Sequence, residues 1–404
     1  MLSDANNPES RRVREKLTIS LTFVVCISLL ACDTGGQALP QQQSRAYSKN
    51  TSDAPASLPH DFHRGVNHAH IHRRGHGYGS PVSASELDSL RTLGVTWIAL
   101  TPFGYQRGTT GDEIVGFPGN EGPSEFFSRT DPTLTDDDLL KEISNAHSRD
   151  MRVTLKPHIW SHDFWDGNEW HGSIRQTSRE AHLRWWKSYR AFALHYARVA
   201  TETGADMYCL GTELVELSTR YPEEWRELIR DVRKVYTGLL TYAAHWEREF
   251  DHISFWDSLD YIGINAYFPL DTAGDEEGVE HIAAAWKLHR QRIAKIAERF
   301  QRPVLFLEAG YRPIKGAHKR PWLYKGRSFD ADAQARAYEA LFQAFKNASW
   351  WKGIYIWKTF TDPQLKYERK GGFSFRGYPA ENVLRKWYGA GHEFGNDSSA
   401  SQRR

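Results

Sequence analysis

Eight short apolar runs recur along the chain after Phe62: "RGVNHAH", "GVTWIALTPF", "MRVTLKPHIW", "DMYCLGTE", "LLTYAAHW", "DYIGINAY", "PVLFLEAGY" and "GIYIWKTF". Several are almost continuously hydrophobic, as strands covered on both faces are. The segments between them carry helix signals. "SASELDSLRTLG" offers Ser83 or Ser85 as N-cap and Gly94 as a stop. "TLTDDDLLKEISNAHSRD" opens with Thr135 and acidic residues suited to the positive end of a helix. A long helix is expected to stop at Gly204, and "GVEHIAAAWKLHRQRIAKIAERFQRP" and "DADAQARAYEALFQAFKNAS" predict two more. The fifth connection is weakest, with only "ISFWDSLD". Strands alternating with helices imply a parallel sheet. Eight units over roughly 330 residues fit a single α/β domain, a (β/α)8 TIM barrel. A doubly wound open sheet would favour a glycine-rich phosphate loop after the first strand, and "GHGYGS" lacks that spacing. No internal repeat or second-domain boundary is visible, so residues 61–390 are read as one domain and residues 391–404 as a disordered tail.

The first sixty residues have a different character. Arg11, Arg12, Arg14 and Lys16 precede the fifteen-residue run "LTISLTFVVCISLLA". That is short of the ~20 residues a membrane-spanning helix needs, and the arrangement describes a secretory signal peptide. "LLAC" resembles a bacterial lipobox, which would make Cys32 a lipidated mature N-terminus; plain secretion is the alternative. Residues 33–60, rich in Gln, Ser, Pro and Gly, read as a flexible tether. The expected location is the bacterial cell envelope, outside the cytoplasm. Besides Cys26 and Cys32 only Cys209 remains, so no disulfide framework is expected, and Cys209 reads as a buried small hydrophobe.

The formal net charge of +2 gives no electrostatic footprint for nucleic acid. Fifteen Trp and 18 Tyr suit either a packed core or surfaces that stack on sugars. In a barrel of this kind the active site forms at the C-terminal ends of the strands. The fourth run ends "CLGTEL" and the seventh "FLEAGY", placing Glu213 and Glu308 at two strand tips. A carboxylate directly after an apolar run is costly unless it faces a polar cavity. Two of them across one barrel mouth are the equipment for glycoside hydrolysis. A salt-bridged strand end explains either one alone, but explains the pair poorly.

"YCLGTEL", "VLFLEAGY" and "GYGS…LGVTWIALTPFGY" together resemble glycoside hydrolase family 113 of clan A, whose characterised members include β-1,4-mannanases. The resemblance runs from about Arg64 to Trp387. It implies a retaining endo-β-glycosidase without cofactor, with Glu213 as acid/base and Glu308 as nucleophile, their carboxyl groups ~5–5.5 Å apart. It also implies that Tyr267 hydrogen-bonds the nucleophile and that Trp357 forms a platform beneath the sugar. Thr212 stands where many clan members carry Asn, so the contact to the sugar 2-hydroxyl, and with it the sugar's identity, stays open. Lys156 and His158 on the third strand, His245 and Trp246 after the fifth, and Asn67 and His68 on the first are further candidates for sugar contact, as is Tyr78. Trp160, Trp165 and Trp170 are candidate stacking surfaces. The expected partners are a polysaccharide or oligosaccharide and, through Cys32, a membrane; a monomer is expected.

Two rival readings remain. "NHAHIHRRGH" offers His68 and His70 to a metal-dependent barrel hydrolase, but strand four then lacks a Lys and strand six lacks a His. A non-catalytic, lipid-anchored glycan-binding barrel is the other.

Overall fold

The computed structural model describes residues 58–117, 134–161, 163–164, 169–272, 277–323, 328–365 and 371–389. The expected signal segment, Cys32, the expected tether through residue 57, Trp165 and the expected tail after residue 390 lie outside the described residues.

Eight parallel strands close into a barrel: β1 (His63–Ala69), β2 (Trp97–Leu100), β3 (Arg152–Leu155), β4 (Met207–Thr212), β5 (Leu239–His245), β6 (Ile262–Asn265), β7 (Val304–Ala309) and β8 (Trp351–Phe360). Each pairs with its neighbours in chain order, and β8 returns to β1. This is the (β/α)8 architecture read from the eight runs. Two short strands, Phe103–Tyr105 and His158–Trp160, form a separate parallel pair above β2 and β3.

The helices are α1 (Pro81–Leu93), α2 (Asp136–His147), α3 (Arg179–Thr203), α4 (Val215–Arg220), α5 (Pro222–Val235), α6 (Val279–Ala285), α7 (Lys287–Phe300), α8 (Ala331–Phe345) and α9 (Pro379–Gly389). α1 begins earlier than Ser83 or Ser85. Its cap is Ser80, whose side chain accepts from Ser83 N, with Pro81 in the first turn. A proline there loses no helical hydrogen bond, so the helix extends back to it. α2 has the expected Thr135 cap, completed into a capping box by Asp138. Gly94 and Gly204 end α1 and α3 in left-handed conformation. The weak fifth connection holds only a 3-10 turn, Trp256–Ser258.

Alternation along the strands separates two cores. Trp97, Ala99, Met207, Cys209, Ala243, Leu305, Leu307 and Tyr355 pack inside the barrel. Val66, Ile98, Leu155, Ile264, Phe306 and Ile354 belong to the larger core shared with the helices. Cys209 is fully buried, and burial pushes its thiol up to about 12, in keeping with a small hydrophobe.

Candidate active site

Simple alternation does not aim all the site residues; irregular register does. From Cys209↔Thr241 to Thr212↔Ala243, β4 advances three residues while β5 advances two. From Ile264↔Phe306 to Asn265↔Glu308, β6 advances one and β7 two. From Val66↔Ile356 to His68↔Thr359, β1 advances two and β8 three. An extra residue of this kind re-aims the side chains that follow it. On β7 it lets Leu307 and Glu308 both face inward, one into the interior core and the other into the mouth. The three strands with an extra residue carry Glu213, Glu308 and Trp357. Glu213 itself has φ +49° while its N–H donates 2.8 Å to Ala243 O. A non-glycine residue in this region is uncommon and concentrates at functional sites. The Trp357–Lys358 peptide is cis.

Both carboxylates are buried at the mouth and have different surroundings. Lys156 Nζ donates to Glu308 Oε1 at 2.8 Å and Tyr267 OH to Oε2 at 2.9 Å, so each oxygen of Glu308 is held. Lys156 is fully buried, and its ammonium also lies 5.3 Å from the Trp357 ring centre. His171 Nε2 lies 3.1 Å from Glu213 Oε2, and Asn265 Nδ2 donates to Oε1 at 3.0 Å. Burial by itself raises the Glu213 carboxyl. The His171 contact, the nearby His245 and His171, and the Asn265 bond outweigh it and hold the group below the usual carboxylate range.

The other expected residues fall into two groups. Trp357 is half-buried, and the half-buried ring of His158 lies nearly parallel to it, 14° between planes and 6.2 Å between centres. Burial and the Lys156 charge push His158 well below its ordinary value, so the ring is neutral, and its Nε2 has no partner. The Thr212 hydroxyl is likewise buried without a partner. His245 Nδ1 accepts from Glu247 N and Arg248 N, and its ring touches Trp170 and Trp246 at 5.0 and 5.2 Å. Asn67 is fully buried and donates to the carbonyls of Leu307 and Tyr355, so it braces the backbone next to Glu308.

His68 and Tyr78 do not line this mouth. Neighbouring strand residues face opposite ways, so Asn67 points in and His68 out, toward the helices. The His68 ring is fully buried between Ser83 Oγ at 3.0 Å and Glu142 Oε1 at 3.1 Å. Tyr78 is buried, its hydroxyl donating to His68 O and accepting from Thr101 N. His70 Nδ1 accepts from Tyr78 N, and His76 pairs with Asp362 at 2.7 Å. Among the described residues no group of three His, Cys, Asp or Glu side chains is placed to hold a metal ion.

Two partners of Glu213 were not anticipated. Asn265 had a signal, since "NAY" puts it two residues before Tyr267 and so on the same face. His171 had none: it sits in the His171–Ser173 turn of the long loop after β3, brought to Glu213 only by folding.

The chain matches the model of Glycoside Hydrolase Family 113 over residues 66–378. Among solved structures it is similar to the family 113 β-mannanase of Alicyclobacillus acidocaldarius, with 28% identity and TM-score 0.69, covering 81% of this chain and 97% of that one. A second family 113 β-1,4-mannanase shares the fold at 23% identity and TM-score 0.68, over 81% and 99% of the two chains. The Ruminococcus gnavus β-glucuronidase shares it more loosely, at 12% identity and TM-score 0.55, over 81% of this chain and 50% of that one. No curated protein matches in sequence. The match spans most of the chain and contains both carboxylates on their barrel tips, so the chain belongs to Glycoside Hydrolase Family 113 and is a glycoside hydrolase.

Proposed function

We propose that the protein is a retaining endo-β-glycosidase acting on β-1,4-mannan, with Glu308 as nucleophile and Glu213 as acid/base. The observation that carries this reading is the unequal environment of the two carboxylates. Glu308 is fixed at both oxygens by Lys156 and Tyr267, as suits a group that must attack along one line. Glu213 touches an imidazole and an amide, partners compatible with either protonation state.

In the first step a Glu308 oxygen bonds to the anomeric carbon as the bond to the leaving oxygen breaks, and Glu213 gives that oxygen its proton. In the second, Glu213 takes a proton from water, the water oxygen bonds to the anomeric carbon, and Glu308 is released. His171 and Asn265 favour the Glu213 carboxylate, the form the second step needs. A sugar that excludes water adds to the desolvation favouring the acid, the form the first step needs.

Trp357 and neutral His158 form an aromatic wall for the sugar at the cleaved bond. Beyond Glu213, rings continue through Trp170, His245 and Trp246 to Trp322, which stacks on Trp246 at 5.1 Å and is 42% exposed. A strip of rings leading away from the acid/base supports binding of a chain on the leaving-group side, hence internal cleavage. The 28% identity to a β-mannanase supports mannan. The expected anchor at Cys32 would hold the barrel at the cell envelope.

The test is a product profile on mannan, β-glucan and chitosan, with the product anomer followed by NMR. Mannan cut internally with retention is expected. Glu213→Gln should lose about 10²–10⁴-fold in rate, and Glu308→Gln should fall to background. Near-wild-type turnover in either variant, or an inverted product, overturns the assignment.

A further inference from the structure

Glu249 is a fully buried carboxylate in the turn after β5, outside the sugar cleft. It gathers three donors. Ser218 Oγ, on α4, and Tyr242 OH, on β5, both donate to Oε1 at 2.5 Å, and His245 N donates to Oε2 at 2.6 Å. The Tyr242 hydroxyl in turn accepts from Leu214 N at 2.7 Å. That N–H belongs to the peptide joining Glu213 to Leu214, immediately after the residue held at φ +49°. A relay of two hydrogen bonds therefore runs from the Glu249 carboxylate through Tyr242 to the backbone that aims Glu213. The same carboxylate fixes the start of the His245 turn, and α4, which follows Glu213 in the chain, is tied to it through Ser218.

We propose that Glu249 is a positioning residue for the acid/base: as a carboxylate it locks the Tyr242 hydroxyl into accepting from Leu214 N, and so sets the Glu213 turn. This rests on the reading of Glu213 as acid/base. The donor count explains why a carboxylate is required. Ionised Glu249 only accepts, and all three partners donate to it. Protonated, it carries a hydrogen on one oxygen: on Oε1 that hydrogen displaces Ser218 or Tyr242, and on Oε2 it is a buried O–H facing partners that all donate, while the neutral group accepts more weakly from Tyr242. Burial, with a smaller contribution from the nearby Glu213, raises the Glu249 carboxyl to about 7 against the lowering pull of Ser218, Tyr242 and His245 N. The ionisable groups around it are Tyr242, Glu213 and Tyr189. The relay is thus at full strength above neutrality and weakens as the pH falls through that value.

The experiment separates aim from overall integrity by leaving-group dependence. A glycoside with a poor leaving group needs the acid, whereas a dinitrophenyl glycoside departs without it. Glu249→Gln should lower kcat/KM on an oligosaccharide or phenyl β-mannoside by about 10²-fold, the scale of a small misplacement. The rate of enzyme glycosylation by the matching dinitrophenyl β-mannoside should change less than about threefold, well under one power of ten in barrier terms. Tyr242→Phe removes the relay while keeping the buried carboxylate, and should give the same selective loss. In the wild type, the ratio of poor- to good-leaving-group rates should show an inflection near neutral pH that Glu249→Gln lacks. Equal losses on both substrates in Tyr242→Phe, or an unchanged ratio in both variants, overturn the proposal. A Glu213→Gln variant whose losses are equal on the two substrates overturns the acid/base reading itself.

Discussion

Burial by the wall of the cleft and three side chains, His171, His245 and Asn265, decide where the Glu213 proton sits. His171 is the strongest of the influences that lower the carboxyl. Removing it leaves burial less opposed, so the Glu213 pKa rises and more of the free enzyme is protonated at a given pH. His171→Ala should therefore move the basic limb of the kcat/KM profile to higher pH, because that limb reports the acid of the free enzyme. A limb that stays in place would show that His171 does not tune this group. Lys156 gives a second test. Breaking a buried ion pair from one side costs about 3–5 kcal/mol, so Lys156→Met should lower Tm and abolish most turnover. Lys156→Met combined with Glu308→Gln should recover much of the Tm and none of the activity, and simple additivity would argue against direct coupling. Glu213 and Glu308 were legible because a carboxylate ending an apolar run is physically anomalous. Asn67 and His68 were not told apart until alternation was anchored to an inside and an outside. Of the three histidines at alternate positions only His68 lies within β1, where it faces the helix layer; His70 and His72 follow the end of the strand.

At the scale of elements, the strands were readable from hydrophobicity because each is covered on both faces. What sequence periodicity cannot register is an extra residue that resets the period of two, and β4, β7 and β8 each have one at the mouth. The pair of short strands above β2 and β3 was read as continuations of those strands, since Pro102 and Pro157 interrupt the ladders without interrupting the extended pattern. The connections are more exacting than their sequences suggest. Gly94, between α1 and β2, has φ +96°, and a β-carbon there would lie 2.7 Å from the Tyr388 carbonyl carbon in α9. α9 in turn closes the bottom of the barrel, with Tyr388 OH donating to Gly65 O and Ile354 O across the β1–β8 seam. Gly94→Ala should cost at least about 1–2 kcal/mol from the left-handed backbone alone, with more from displacing α9. Thermal melting should show the loss while kcat/KM at permissive temperature stays at the wild-type value. An unchanged Tm would mean that α9 moves aside without consequence.

For the whole molecule, the question is where the folded barrel begins and what it hangs from. The expected tether ran to residue 60, yet Leu58 is buried and its carbonyl accepts from Arg64 Nη2 at 2.9 Å. Arg64 is itself buried and also donates to Phe62 O at 3.4 Å, so residues 58–64 form a packed clasp on the first strand. The clasp sits on β1, which closes the barrel against β8, so its loss weakens the seam that makes the sheet continuous. A chain starting at residue 58 should therefore melt and hydrolyse as the full-length protein does. A chain starting at residue 63 leaves the buried Arg64 guanidinium without its carbonyl partners, a loss of about 1.5–3 kcal/mol for each bond to a charged group. Its Tm should fall clearly below that of the longer chain. The same division bears on location. If Cys32 carries lipid, the chain partitions with membranes and detergent releases it, whereas Cys32→Ala should appear in the soluble extracytoplasmic fraction with unchanged kcat/KM. Membrane partition in Cys32→Ala equal to wild type would remove the lipid anchor from the account and leave the barrel's activity untouched, because the two carboxylates and the side chains that hold them lie between Lys156 and Glu308.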